Sequence, residues 1–189
     1  MELIGPYLIG CTLLAIAGVK KAARPDDTAR ALAPLLPARL GARCQFRHIR
    51  TIIRIAAILE AGLGVVAVVL PRSLSAAIVA GSYAVFAGVV AYARSRGGAL
   101  ASCGCFGTAD TPATLLHAVV DLALAIAAAV VATSAPTGGT IITAIGHQPL
   151  DGAPLLIVSA VGVWLTYLTL SMLAALEAAR RAVGAPGGR

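Results

Sequence analysis

Apolar residues in this chain gather into long, nearly uninterrupted runs rather than the narrow stripes of a water-soluble helix or strand. Five runs approach the ~20 residues that a helix needs to cross a bilayer. They are Leu3–Val19, Ile52–Leu70, Leu74–Ala93, Leu115–Thr133 and Pro154–Leu176. Only Pro71-Arg72-Ser73 separates the second run from the third, so these two are expected to form an antiparallel hairpin. The pattern predicts an all-α integral membrane protein. A four-helix transmembrane bundle core occupies residues 1–133, and a loop, a fifth C-terminal transmembrane helix and a basic tail occupy 134–189.

Composition agrees. Charged residues make up 12% of the chain and hydrophobic ones 59%, whereas a soluble domain carries about 25% charge. Lipid is therefore part of the solvent. The abundance of Ala, Val, Leu and Gly suits close helix packing in a bilayer. A net charge of +7 invites a nucleic-acid partner, but the basic residues flank apolar runs as topology determinants do, and no nucleic acid is expected.

The same residues sort by side. Lys20, Lys21, Arg24, Arg30, Arg39, Arg43, Arg47, Arg50 and Arg54 lie between the first two runs. Arg94 and Arg96 lie between the third and fourth, and Arg180, Arg181 and Arg189 follow the fifth. The opposite side has only Arg72. The positive-inside rule then predicts a multi-pass plasma-membrane protein with its N-terminus outside and its C-terminus in the cytoplasm. The first run lacks the basic residues that precede the apolar stretch of a signal peptide and is expected to be retained. In the basic stretch that follows, Asp26-Asp27-Thr28 is expected to cap a short interfacial helix through Ala29–Leu36. The plainer alternative is a solvated basic loop held near anionic lipid.

Chemistry concentrates at Ser102-Cys103-Gly104-Cys105-Phe106-Gly107, in a loop expected on the cytoplasmic side. Two thiols one residue apart can close a small, strained and easily reduced disulfide ring. Gly104 and Gly107 permit sharp turns, and Arg94 and Arg96 upstream favour the reactive thiolate. Two other readings stay open: inert thiols, or a soft-metal site in which Cys44, His48 or His117 joins Cys103 and Cys105.

Glu60 is the second signal. It lies about 9 Å into the second helix, counted from Arg54 at 1.5 Å per residue. An acid at that depth needs a partner and marks a functional position by default. Lys21 or Arg54 supplies a structural ion pair, and proton handling beside the thiols is the alternative. Asp121 lies at a similar depth in the fourth helix, just after the cysteine loop. Lys20 and Lys21 end the first helix, where they can snorkel. Cys11 is expected as a small buried hydrophobe, His147 as a solvated loop residue, and Trp164 and Tyr167 as packing residues. No phosphate loop, nucleophile elbow or dinucleotide fingerprint occurs.

Ala17-Gly18-Val19-Lys20-Lys21 with Pro25, then Glu60, then Cys103-Gly104-Cys105-Phe106-Gly107 before the next helix resembles the methylamine utilisation protein MauE family. That family sits among DoxX-like, redox-associated small membrane proteins. The resemblance covers roughly residues 3–133. It implies a four-helix core that handles thiols and disulfides beside a thioredoxin-like partner, with Lys21, Glu60, Cys103 and Cys105 as the functional positions. The chain departs from the family in two places. Val120-Asp121 stands where an Arg-Asn pair is usual, and the fifth helix extends beyond the core.

Three functional classes follow. Thiol–disulfide exchange through Cys103 and Cys105 would make the protein an oxidoreductase without a bound cofactor, though no residue excludes a quinone. A soft-metal binder or transporter would use Cys103, Cys105, Cys44 and His48. A non-catalytic subunit or assembly factor of a larger membrane complex would need neither thiol.

Overall fold

The computed structural model describes residues 3–32, 44–95, 115–134, 140–146 and 148–184. The helices are α1 (Ile4–Ala23), α2 (Pro25–Leu32), α3 (Cys44–Val69), α4 (Ser73–Ser95), α5 (Leu115–Ser134), α6 (Ile141–Gly146) and α7 (Ala153–Gly184), with a short 3-10 turn at Pro149–Gly152 before α7. No strand occurs among the described residues. Five of these helices are long and apolar enough to cross a membrane: α1, α3, α4, α5 and α7. The all-α membrane architecture expected from the hydropathy pattern is therefore present.

The bundle is built around α1. Within its membrane-crossing window 61% of residues are buried, against 11–28% for the other four spans. It also has the lowest mean hydropathy of the five, 1.3 against 1.9–2.4. The two facts belong together, because a helix surrounded by protein need not present apolar side chains to lipid on every face. Tyr7, Cys11 and Leu14 of α1 form the core with Ala67 of α3, Ala76, Val79 and Tyr83 of α4, and Ala125 and Ala128 of α5. Cys11 is fully buried among them, as expected of a small hydrophobe. The outer faces carry exposed Ile58, Val65, Leu74, Val85, Leu122, Ile126 and Trp164, an apolar surface suited to lipid.

The broadest interfaces join α1 with α3 and α4 with α5. Gly18 and Lys21 near the carboxyl end of α1 meet Ala57, Glu60 and Ala61 near the middle of α3. Tyr7 near the start of α1 donates to the carbonyl of Ala67, farther along α3, at 3.2 Å. The two helices are thus antiparallel. Small residues bring them together. A Cβ on Gly18 would lie 2.5 Å from the Ala61 nitrogen and 2.6 Å from the Ala57 oxygen. One on Gly64 would lie 2.6 Å from the Cys11 oxygen and 2.7 Å from the Ala15 nitrogen. Backbone thus touches backbone at two points, as small-residue interfaces in membranes allow.

The connection between α3 and α4 is as short as the sequence suggests, but the two helices share little surface. Each is drawn to another partner, α3 to the small-residue face of α1 and α4 to α5. Ser75 closes the turn: its hydroxyl lies 2.9 Å from the Leu70 and Arg72 carbonyls and accepts from the Arg72 N–H at 3.1 Å.

The short helix α2 begins earlier than expected. Pro25 opens it, so Asp26 and Asp27 stand within its first turn instead of capping it. Proline suits this place because its missing N–H would have no partner there. The acids still face the positive end of the helix. The expected continuation to Leu36 and the loop residue His147 lie outside the described residues.

Candidate functional site

Alternating chain direction brings the carboxyl ends of α1, α4 and α7 and the amino ends of α3 and α5 to one end of the bundle. Lys21 lies three residues beyond Gly18 and so shares the face of α1 that meets α3. Its ammonium donates to both carboxylate oxygens of Glu60, at 2.8 and 2.9 Å. The two side chains are 8% and 13% exposed, so the pair is almost wholly enclosed. The Lys21 Nζ also lies 4.3 Å from the centroid of the Phe86 ring of α4. Phe86 packs edge-on against Tyr83 at 6.0 Å, and Tyr83 donates to the Gly10 carbonyl at 2.7 Å. Three helices thus converge on one cation.

Of the two partners expected for Glu60, the structure selects Lys21 and leaves Arg54 exposed on the surface. The enclosure also corrects the expectation that Lys21 snorkels to the interface. An unpaired ammonium or carboxylate at that depth is costly, and mutual neutralisation removes most of that cost. The adjacent Lys20 points elsewhere, since consecutive helical residues diverge by ~100°. Its ammonium lies 2.6 Å from the Tyr167 hydroxyl and 4.4 Å from the centre of that ring. Tyr167 therefore ties α7 to α1, while Trp164, expected to pack within the protein, is 61% exposed among the described residues.

Phe86 and Tyr167 as cation partners escaped sequence reasoning. Aromatic residues inside apolar runs look like ordinary packing. The usable signal was that two adjacent lysines within helical register must face different neighbours.

His117, in the first turn of α5, is buried, and Asp121 one turn below it is partly buried. Both engage interaction partners. His48 is exposed near the start of α3. Cys103 and Cys105 lie outside the described residues, as does the side chain of Cys44. Among the described residues, no three His, Cys, Asp or Glu side chains gather as a metal site. Ser95 and Leu115, which bound the segment carrying the Cys-Gly-Cys sequence, both open at the end of the bundle nearer Lys21 and Glu60.

Comparison with known proteins agrees with this architecture. No curated protein and no solved structure matches the chain significantly. The family model described as methylamine utilisation protein MauE matches residues 2–134, which covers α1 to α5 and leaves α7 outside. The chain belongs to the methylamine utilisation protein MauE family.

Proposed function

We propose that this protein is a membrane-embedded thiol–disulfide exchanger whose working pair is Cys103 and Cys105. The observation that carries the proposal is the Cys-Gly-Cys sequence in the segment between α4 and α5. Its flanking residues Ser95 and Leu115 stand at the end of the bundle nearer the enclosed Lys21–Glu60 pair. One thiolate attacks a disulfide of a thioredoxin-like partner, forming a mixed disulfide and releasing one partner thiolate. The second cysteine attacks its neighbour's sulfur, closing the Cys103–Cys105 disulfide and releasing the other. Two electrons and two protons pass from the pair to the partner, and the reverse sequence reduces the pair. Glu60, held by Lys21, ties α3 to α1 and in this reading exchanges a proton with the thiol pair. The basic residues of the chain favour a cytoplasmic position for the cysteine loop and an outside N-terminus.

The experiment is thiol trapping in intact cells with membrane-permeant and impermeant maleimides. Cycling of the pair between thiol and disulfide, with only the permeant reagent labelling the reduced form, is the expected result. Labelling that appears only after a chelator is added would instead favour the soft-metal reading. A stable protein partner that survives Cys103→Ser and Cys105→Ser, with redox-linked activity unchanged, would favour the assembly-subunit reading.

A further inference from the structure

The first turns of α3 carry three arginines, and their arrangement has a use outside thiol chemistry. Arg47, Arg50 and Arg54 are all exposed. Arg50 is committed, with its Nε 3.2 Å from Asp26 of α2. Arg47 and Arg54 are seven residues apart and, at ~100° per residue, fall within about 20° of one line along the helix. Continuing along that line, Ile58 and Val65 are each 56% exposed. The line is cationic at one end of the bundle and apolar towards its middle.

Depth fits the same division. From Val69 at the far end of α3, Arg54 lies about 22 Å along the axis and Arg47 about 33 Å. A hydrocarbon core of ~30 Å then ends between them. The Arg54 side chain must reach upward to the interface, towards the level of Arg47. The acids of the neighbouring helix do not neutralise this pair of arginines, because Asp26 is engaged with Arg50 and Asp27 with Arg30.

We infer that Arg47 and Arg54 form a binding site for the headgroup of an anionic phospholipid whose acyl chain lies along Ile58 and Val65. A guanidinium offers paired donors that match a phosphate. The apolar continuation distinguishes a lipid from a free anion, which would use the arginines alone. The clip from Asp26 to Arg50 keeps α2 beside the site without occupying it.

The test uses the full-length protein in nanodiscs of phosphatidylcholine mixed with phosphatidylglycerol. The lipids retained after detergent extraction are counted by native mass spectrometry. Wild-type protein should retain phosphatidylglycerol in preference to phosphatidylcholine. The variant Arg47→Gln/Arg54→Gln should lose that preference, by roughly fivefold for each arginine removed. Arg47→Lys/Arg54→Lys should restore part of it, and Arg72→Gln at the opposite end should leave it unchanged. Equal preference in the double Gln variant, or none in the wild type, would overturn the inference. So would displacement of phosphatidylglycerol by inorganic phosphate alone, which would identify a plain anion site.

Discussion

The ammonium of Lys21 and the carboxylate of Glu60 meet at 2.8 and 2.9 Å inside the bundle, joining α1 to α3 where Gly18 has already brought the two backbones into contact. Close approach and ion pair depend on each other. The lysine reaches the acid because no side chain stands between the helices, and pairing lets two charges remain at that depth.

Removing one partner should therefore do more harm than removing both. Lys21→Met leaves Glu60 enclosed without a counter-charge, and Glu60→Gln leaves the ammonium in the same state. Each should cost about 3–5 kcal/mol. The double variant Lys21→Met/Glu60→Gln should recover much of that loss, because no buried charge remains. Thermal unfolding of the four proteins in one detergent gives the coupling. Additive losses would show that the pair is not energetically linked.

Phe86 contributes to the same cation from the third helix. Replacing it with Leu keeps an apolar side chain but removes the ring face, at an expected cost of about 0.5–2 kcal/mol. The cost should shrink in a Lys21→Met background, where only packing changes. An equal cost in both backgrounds would assign Phe86 a purely steric role.

The five spans and their order follow from the apolar runs, since a bilayer imposes one length on all of them. Their ends follow less well. Helix α3 begins at Cys44, eight residues before the apolar run, and α7 continues to Gly184, past Leu176. Hydropathy detects the part of a helix in lipid, whereas hydrogen bonding continues it into water. Glu60 was legible as a candidate because an acid at its depth must be satisfied. Its partner was narrowed to Lys21 or Arg54 but not chosen, since the choice depends on the rotation of α1 about its axis. That rotation is fixed by Gly18, whose missing side chain turns its face, and Lys21 with it, towards α3. The splaying of α3 from α4 was not legible, because a short connection constrains ends and says nothing of which faces attract.

The docking of α7 should be separable from the four-helix core. It leans on α1 where Gly5 faces Leu155 and Ser159, where Gly162 faces Ile9, and where Lys20 meets Tyr167. Tyr167→Phe keeps the ring beneath the ammonium and loses only the hydroxyl. Tyr167→Ala loses both, so it should loosen α7 more, by up to about 1 kcal/mol for an exposed pair of this kind. Cysteine cross-linking between α1 and α7 positions near the pair would report it as a lower yield in Tyr167→Ala than in Tyr167→Phe. Equal yields would show that Lys20 does not hold the helix.

The packing of α1 on α3 offers the strictest test of the fold, because its expected effects differ among chemically identical changes. Gly18→Ala and Gly64→Ala each place a methyl group less than 3 Å from helix backbone, which cannot swing aside as a side chain can. The helices must separate, and overpacking of this kind costs about 1–3 kcal/mol. At Gly18 the separation also lengthens the nearby Lys21–Glu60 contact, so that variant should lose more than Gly64→Ala. Gly62 and Gly81 lie in α3 and α4, and a Cβ on either meets nothing within 4 Å. Alanine there should be neutral or slightly stabilising, since it restricts the unfolded chain and clashes with nothing. Melting temperatures of the four variants in one detergent distinguish the cases. A common shift for all four would mean that helix propensity governs the response, and close contact between α1 and α3 would then not be what holds the bundle together.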